Sequence, residues 1–153
     1  MRTRGDRVAL FFMFFAFLLL PAFAQTPADV ERLLDENAIT FEQAAWFILA
    51  VAMDAPPDGP QEAFAAAAGN GWFAAGRQGA DAITFADLSL LAMNAFDIKG
   101  GMMYRIFKNK RYAYREMKYR GYIIGRAFSN LAVSGEQFLQ ILGNVMDDRE
   151  GGQ

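Results

Sequence analysis

The sequence contains no cysteine and no histidine. Without cysteine the chain has no disulfide, so its fold must rest on packing. Without histidine it lacks the usual general base and the commonest zinc ligand. No metal site and no cofactor is expected, and no phosphate loop, nucleophile motif or calcium loop is written in the chain. Carboxylate pairs are few. Asp35-Glu36 and Asp147-Asp148 are sequence neighbours, which do not share one helix face. Acid/base cleavage of a glycan needs two converging carboxylates at a fixed distance. An enzyme acting on envelope polymer would need a pair assembled by folding, such as Asp81 or Asp87 with Glu136.

Long apolar runs are scarce too, and the one present stands at the start. "MRTRGDR" carries Arg2, Arg4 and Arg7, "VALFFMFFAFLLL" follows, and "PAFAQ" puts small residues at Ala22 and Ala24. A basic start, an apolar middle and a small-residue end describe a secretory signal peptide. The run is short of the ~20 residues that a spanning helix needs. Residues 1–24 are expected to be removed, leaving Gln25–Gln153 as one exported domain, in the periplasm or at the cell surface. No cysteine lies near the cut, which excludes a lipid-modified N-terminus.

What the chain does contain is a repeat. "AITFEQAAWFILAVAMD", "AITFADLSLLAMNAFD" and "AVSGEQFLQILGNVMD" align, with Thr40, Thr84 and Ser134 spaced 44 and 50 residues apart. Each of these residues suits a helix N-cap. Three positions on stand Gln43, Asp87 and Gln137, at the capping-box spacing. Before each cap sits a branched apolar residue, Ile39, Ile83 or Val133, placed to staple the chain onto the helix. Apolar residues then recur at helical spacing, with Phe138, Ile141, Leu142 and Val145 in the third copy. Upstream of the second and third copies a helical run ends at Gly71 or Gly121, each followed by an aromatic, Trp72 or Tyr122. Glycine there suits the left-handed residue that ends a helix. The unit is therefore helix, glycine turn, loop, capped helix, and "ADVERLLDEN" gives the first unit a shortened opening helix. The expectation is an all-α domain over residues 25–148, of about six helices, its repeats near 28–54, 61–97 and 111–147 packed around one pseudo-threefold core. Residues 149–153 are expected to be a flexible tail.

The pieces "GWFAAG", "GYIIG", "AITFEQ", "AITFAD" and "AVSGEQF", in this order and in three copies, resemble the S-layer homology repeat. The resemblance covers residues 28–148. It implies a three-lobed helical assembly that holds exported proteins noncovalently on the cell wall by binding anionic glycan or peptidoglycan. The family's T-R-A-E motif is central to that binding. Its Arg position is occupied here by Phe41, Phe85 and Gly135, and its Glu position by Gln43, Asp87 and Gln137. A guanidinium fork pairs a carboxylate or phosphate with two prongs, and Phe or Gly cannot. The resemblance thus implies the fold, while glycan binding is not expected at those positions.

Charge is unevenly placed. Between Lys99 and Arg126 stand Lys99, Arg105, Lys108, Lys110, Arg111, Arg115, Lys118, Arg120 and Arg126 against the single acid Glu116. The rest of the expected mature chain has three cations, Arg32, Arg77 and Arg149, against fifteen acids. Tyr104, Phe107, Tyr112, Tyr114, Tyr119 and Tyr122 interleave the basic stretch. Basic residues among aromatics also suit nucleic acid, but an exported chain meets wall polymer, lipid headgroups or an envelope protein instead. The candidate contact residues are Arg105, Lys108, Lys110, Arg111, Arg115, Lys118 and Arg120, with Trp72 as a possible stacking platform for a sugar. Trp46 is expected in the core. Phe96–Met117 is expected to hold the longest irregular connection and a partner-binding element. The sequence reading is of an exported, non-enzymatic attachment or assembly domain of the cell envelope. A protein-docking module that binds no glycan is the alternative, peripheral contact with a membrane surface is open, and the oligomeric state is not specified.

Overall fold

Four helices begin at a side-chain cap, supplied by Thr40, Thr84, Asn109 or Ser134. The computed structural model describes residues 27–151; residues 1–26, which include the expected signal peptide, and residues 152–153 lie outside the described part. The described residues form seven helices and no strand: α1 (Pro27–Asp35), α2 (Phe41–Ala52), α3 (Pro60–Gly69), α4 (Phe85–Ala95), α5 (Met102–Phe107), α6 (Lys110–Tyr119) and α7 (Gly135–Gly151). The all-α class is that of the sequence reading, with seven helices where about six were expected.

At α2 the Gln43 amide donates to Thr40 Oγ1 (3.2 Å) and the Thr40 amide to Gln43 Oε1 (2.8 Å), a complete capping box. Ser134 and Gln137 do the same at the head of α7, at 3.3 and 3.1 Å. At α4 the Asp87 amide donates to Thr84 Oγ1 (3.3 Å), and the Thr84 hydroxyl donates to the Asp87 carboxylate (2.7 Å). The first amide of each helix has no partner within it. That of Phe41 donates to the Asp81 carbonyl (3.0 Å), that of Phe85 to Leu131 (3.1 Å), and that of Gly135 to Glu36 (2.9 Å). Each capped helix thus leans on the segment that leads into another capped helix.

One residue upstream of each cap the pattern closes on itself. The Ile39 amide donates to the Val133 carbonyl (2.9 Å), the Val133 amide to Ile83 (3.1 Å), and the Ile83 amide to Ile39 (2.9 Å). All three side chains are fully buried. Helices pack around this ring in pairs that cross the sequence units: α2 on α3, α4 on α6, and α1 on α7. The first and last described helices therefore close the circle. Phe41, Phe64 and Phe73 form an aromatic cluster where α2 meets α3, and Phe47 meets Phe138 of α7 edge-on. Gly71 (φ +72°) and Gly121 (φ +78°) terminate α3 and α6. The next amide, of Trp72 or Tyr122, reaches back five residues to the Ala67 or Met117 carbonyl, as a left-handed residue allows.

Four expectations are corrected in detail. The connection after Phe96 is not irregular throughout, because Met102–Phe107 forms α5, with Gly101 as its N-cap and Lys108 as a left-handed C-cap. The pair Gly100-Gly101, which in sequence suits the end of the second copy's helix, does not end it, because α4 stops at Ala95. Trp46 is only partly buried, at the margin of the core edge-on to Phe47. Residues 149–151, the start of the expected tail, continue α7, where Arg149 donates to the Phe96 carbonyl and lies over the Phe96 ring.

Gly135 occupies the position filled by Phe41 and Phe85 in the other copies. The first unit has no long loop, and the last turn of α1 takes the space: a Cβ on Gly135 would stand 1.5 Å from the Leu33 carbonyl oxygen. Gly135→Ala is expected to lower stability by about 2 kcal/mol or more, since backbone must move. In the same helix, Gly143→Ala meets open space and should raise it by about 0.5–1 kcal/mol. Urea unfolding of both variants checks this; a Gly135→Ala chain as stable as the parent would contradict the close approach.

Candidate functional site

The basic stretch folds into α5, α6 and the turns beside them. Ala113 and Met117 bury one side of α6 against α4 and leave Arg111, Arg115 and Lys118 on its outer side. Asn109 caps the helix by accepting the Arg111 and Tyr112 amides (both 3.1 Å). Tyr104 is the buried residue of α5, and burial raises its phenol pKa above the ordinary value.

The structure divides the seven candidate cations. Lys110 turns inward. Its ammonium lies 3.3 Å from the carboxylate of Asp87, which is 1% exposed and also meets Arg77 at 3.1 Å. Asp87 is thus more than a cap. It is the counter-ion that joins α4, the loop after α3 and the head of α6. The sequence spacing of Thr84 and Asp87 showed the cap, but nothing local signalled the two cations. Among the described residues no group of three or more acidic side chains could hold a metal ion.

Arg120 and Lys118 are also engaged. Arg120 Nε donates to Glu116 (2.9 Å) and its Nη2 to the Lys99 carbonyl. The bond to Glu116 raises the Arg120 pKa further, against the opposing effect of burial. Lys118 donates to the Gly125 carbonyl (3.1 Å). Glu116 is doubly used, because its other oxygen accepts the Gly101 amide (3.0 Å) and so ties the start of α5 to α6.

Arg105, Lys108, Arg111 and Arg115 remain. All four are exposed, and none has an ion-pair partner among the described residues. Aromatic groups stand among them: the Phe107 and Tyr112 rings stack with centroids 5.4 Å apart, and Tyr119 is exposed. Two hollows flank α5. One of about 370 Å³ is lined by Asn94, Asp97, Lys99, Tyr104, Arg105 and Lys108. The other, of about 270 Å³, is lined by Met102, Met103, Tyr112, Arg115, Glu116 and Tyr119. Trp72 packs partly buried against the core on the far side of the α3 turn from this stretch in sequence.

No family model, no characterised protein and no solved structure matches the chain significantly. No described helix is long and apolar enough to cross a membrane.

Asp87→Asn keeps the cap and removes the charge. It leaves Arg77 and Lys110 facing each other without a counter-ion. Both cations are about a third or more exposed and can swing partly to water, so the expected loss is about 2 kcal/mol, below that of a fully buried pair. Denaturant unfolding at low and high salt measures it. A loss under about 0.5 kcal/mol would show that the carboxylate does not hold these elements together.

Proposed function

We propose that this chain is an exported, non-enzymatic module that attaches to, or assembles on, the anionic polymer of the cell envelope. In this reading residues 1–24 direct export, and the rest is a degenerate three-copy relative of the S-layer homology repeat. The closed ring of hydrogen bonds through Ile39, Ile83 and Val133 supports a pseudo-threefold relation of the copies. The motif positions that would bind glycan in such repeats are spent otherwise: Phe41 and Phe85 are buried, and Gly135 abuts the backbone of α1. Polymer contact is therefore assigned to another surface.

The observation that carries the reading is the set Arg105, Lys108, Arg111 and Arg115. The fold neutralises Lys110 and Arg120 through Asp87 and Glu116, yet leaves these four without partners beside Tyr112 and Tyr119. Cations exposed together on an otherwise acidic chain suit a carboxylate- or phosphate-bearing polymer, with phenol rings to lie against sugars. Trp72 is at most a minor addition.

The test is co-sedimentation of residues 25–153 with purified peptidoglycan sacculi across a salt series. The parent should bind at low salt and release as salt rises, since exposed charge is screened. A variant with Arg105, Lys108, Arg111 and Arg115 changed to Ser should bind at least about tenfold more weakly, with unchanged unfolding. Absence of parent binding at low salt would defeat this reading and leave docking of an envelope protein in its place.

A further inference from the structure

α5 is short, and five of the six residues in its sequence "MMYRIF" are apolar or aromatic. Tyr104 alone is buried and pins the helix to the domain. Met102 is 73% exposed, Ile106 64% and Phe107 55%, with Met103 exposed beside them. Together they form an apolar projection of the kind that marks an interaction surface. The cations are interleaved with it. Arg105 precedes Ile106, Lys108 follows Phe107, and Arg111 and Arg115 stand on the adjoining turns of α6. No acid occurs between Asp97 and Glu116, and Glu116 is turned onto the Gly101 amide and Arg120.

We propose that α5 is a membrane-docking element that seats the chain on an anionic lipid bilayer. Met102, Met103, Ile106 and Phe107 enter the boundary between headgroups and acyl chains, while Arg105, Lys108, Arg111 and Arg115 meet lipid phosphates. Charge complementarity selects this occupant. A dry protein groove deep enough for Ile106 and Phe107 would also bury Arg105 and Lys108, and would need an acid matched to each. A wall polysaccharide offers no apolar phase to four neighbouring apolar side chains. A headgroup layer supplies apolar contact and phosphate at adjacent depths, whatever the rotation about the helix. Exposed Tyr119 beside Met102 and Met103 adds an interfacial phenol. Methionine adapts to a fluid phase, and Phe107 is braced by its stack on Tyr112. The helix is already formed, so little ordering is left for the moment of binding. The inference shares cations with the polymer contact proposed above but needs four apolar residues that the polymer contact does not.

The full chain has no cysteine, so Ile106→Cys can carry a single polarity-sensitive fluorophore, with Gln61→Cys on α3 as a reference. The probes are vesicles of phosphatidylglycerol in phosphatidylcholine, and of phosphatidylcholine alone, each with brominated acyl chains as quencher. The label at 106 should shift to the blue and be quenched by the anionic vesicles. Half-saturation should require at least about fivefold less lipid than with neutral vesicles. The label at 61 should do neither, even if residues 1–26 tether the chain. A second variant, Ile106→Ser, alters one exposed residue that lines neither hollow and stacks on no described ring. It should weaken vesicle binding of the described fold at least about tenfold and leave sacculus binding unchanged. An unaltered label at 106 with anionic vesicles overturns the proposal, as does equal response to neutral vesicles or shielding by sacculi instead of lipid. Lipid insertion without sacculus binding would overturn the polymer reading and uphold this one.

Discussion

The Ile39 amide bonds to Val133, Val133 to Ile83, and Ile83 back to Ile39. Each bond is worth about 1 kcal/mol net, but breaking one leaves a buried donor and acceptor unpaired, which costs about 1–3 kcal/mol for each group. The three residues also stand just before the caps Thr40, Thr84 and Ser134. The ring therefore fixes where α2, α4 and α7 start and in which direction they leave. The next amides are satisfied only because the neighbouring segment is in place: Phe41 needs Asp81, Phe85 needs Leu131, and Gly135 needs Glu36. No capped helix can seat its first turn alone. Closure also requires α1 to meet α7, and a side chain at 135 would collide with α1. Without disulfides, this mutual dependence stands in for covalent crosslinks.

The same constraint decides which charges are free. α6 packs on α4, so the head of α6 brings Lys110 to Asp87. The turn after α6 brings Arg120 back along the helix to Glu116, which in turn holds the start of α5. Asp87 and Glu116 thus absorb three cations, Arg77, Lys110 and Arg120, and set the frame of the basic segment. What projects is α5 and the outer side of α6, with unpaired cations and unburied apolar residues together.

The caps and the glycine turns were legible because their logic is local. Thr40 with Gln43, or Gly71 before Trp72, can be read within a few residues. The caps at Thr84 and Ser134 were legible for the same reason, each being a pattern of a few residues. Helix pairing was not, because the partner of α2 is α3 and that of α1 is α7, each in a different copy. The sequence alone gives no reason for a glycine at 135; the Leu33 carbonyl explains why nothing larger stands there. Asp87 looked like a shorter capping residue, and its two cations come from ten and twenty-three residues away. α5 is an irregular connection in the sequence reading because two glycines precede it. The basic face was named in sequence as seven equals, whereas folding leaves four unpaired.

Amide hydrogen exchange at the ring residues tests the central claim most directly. If Ile39, Ile83 and Val133 form one closed unit, their amides should exchange only through global unfolding. Their protection should be equal and should match the unfolding free energy measured in denaturant. The Gly135→Ala substitution should lower all three together. If one ring amide exchanges at lower free energy than the other two, or if Val133 alone responds to the substitution, the three helix starts are separable and the ring does not hold the fold.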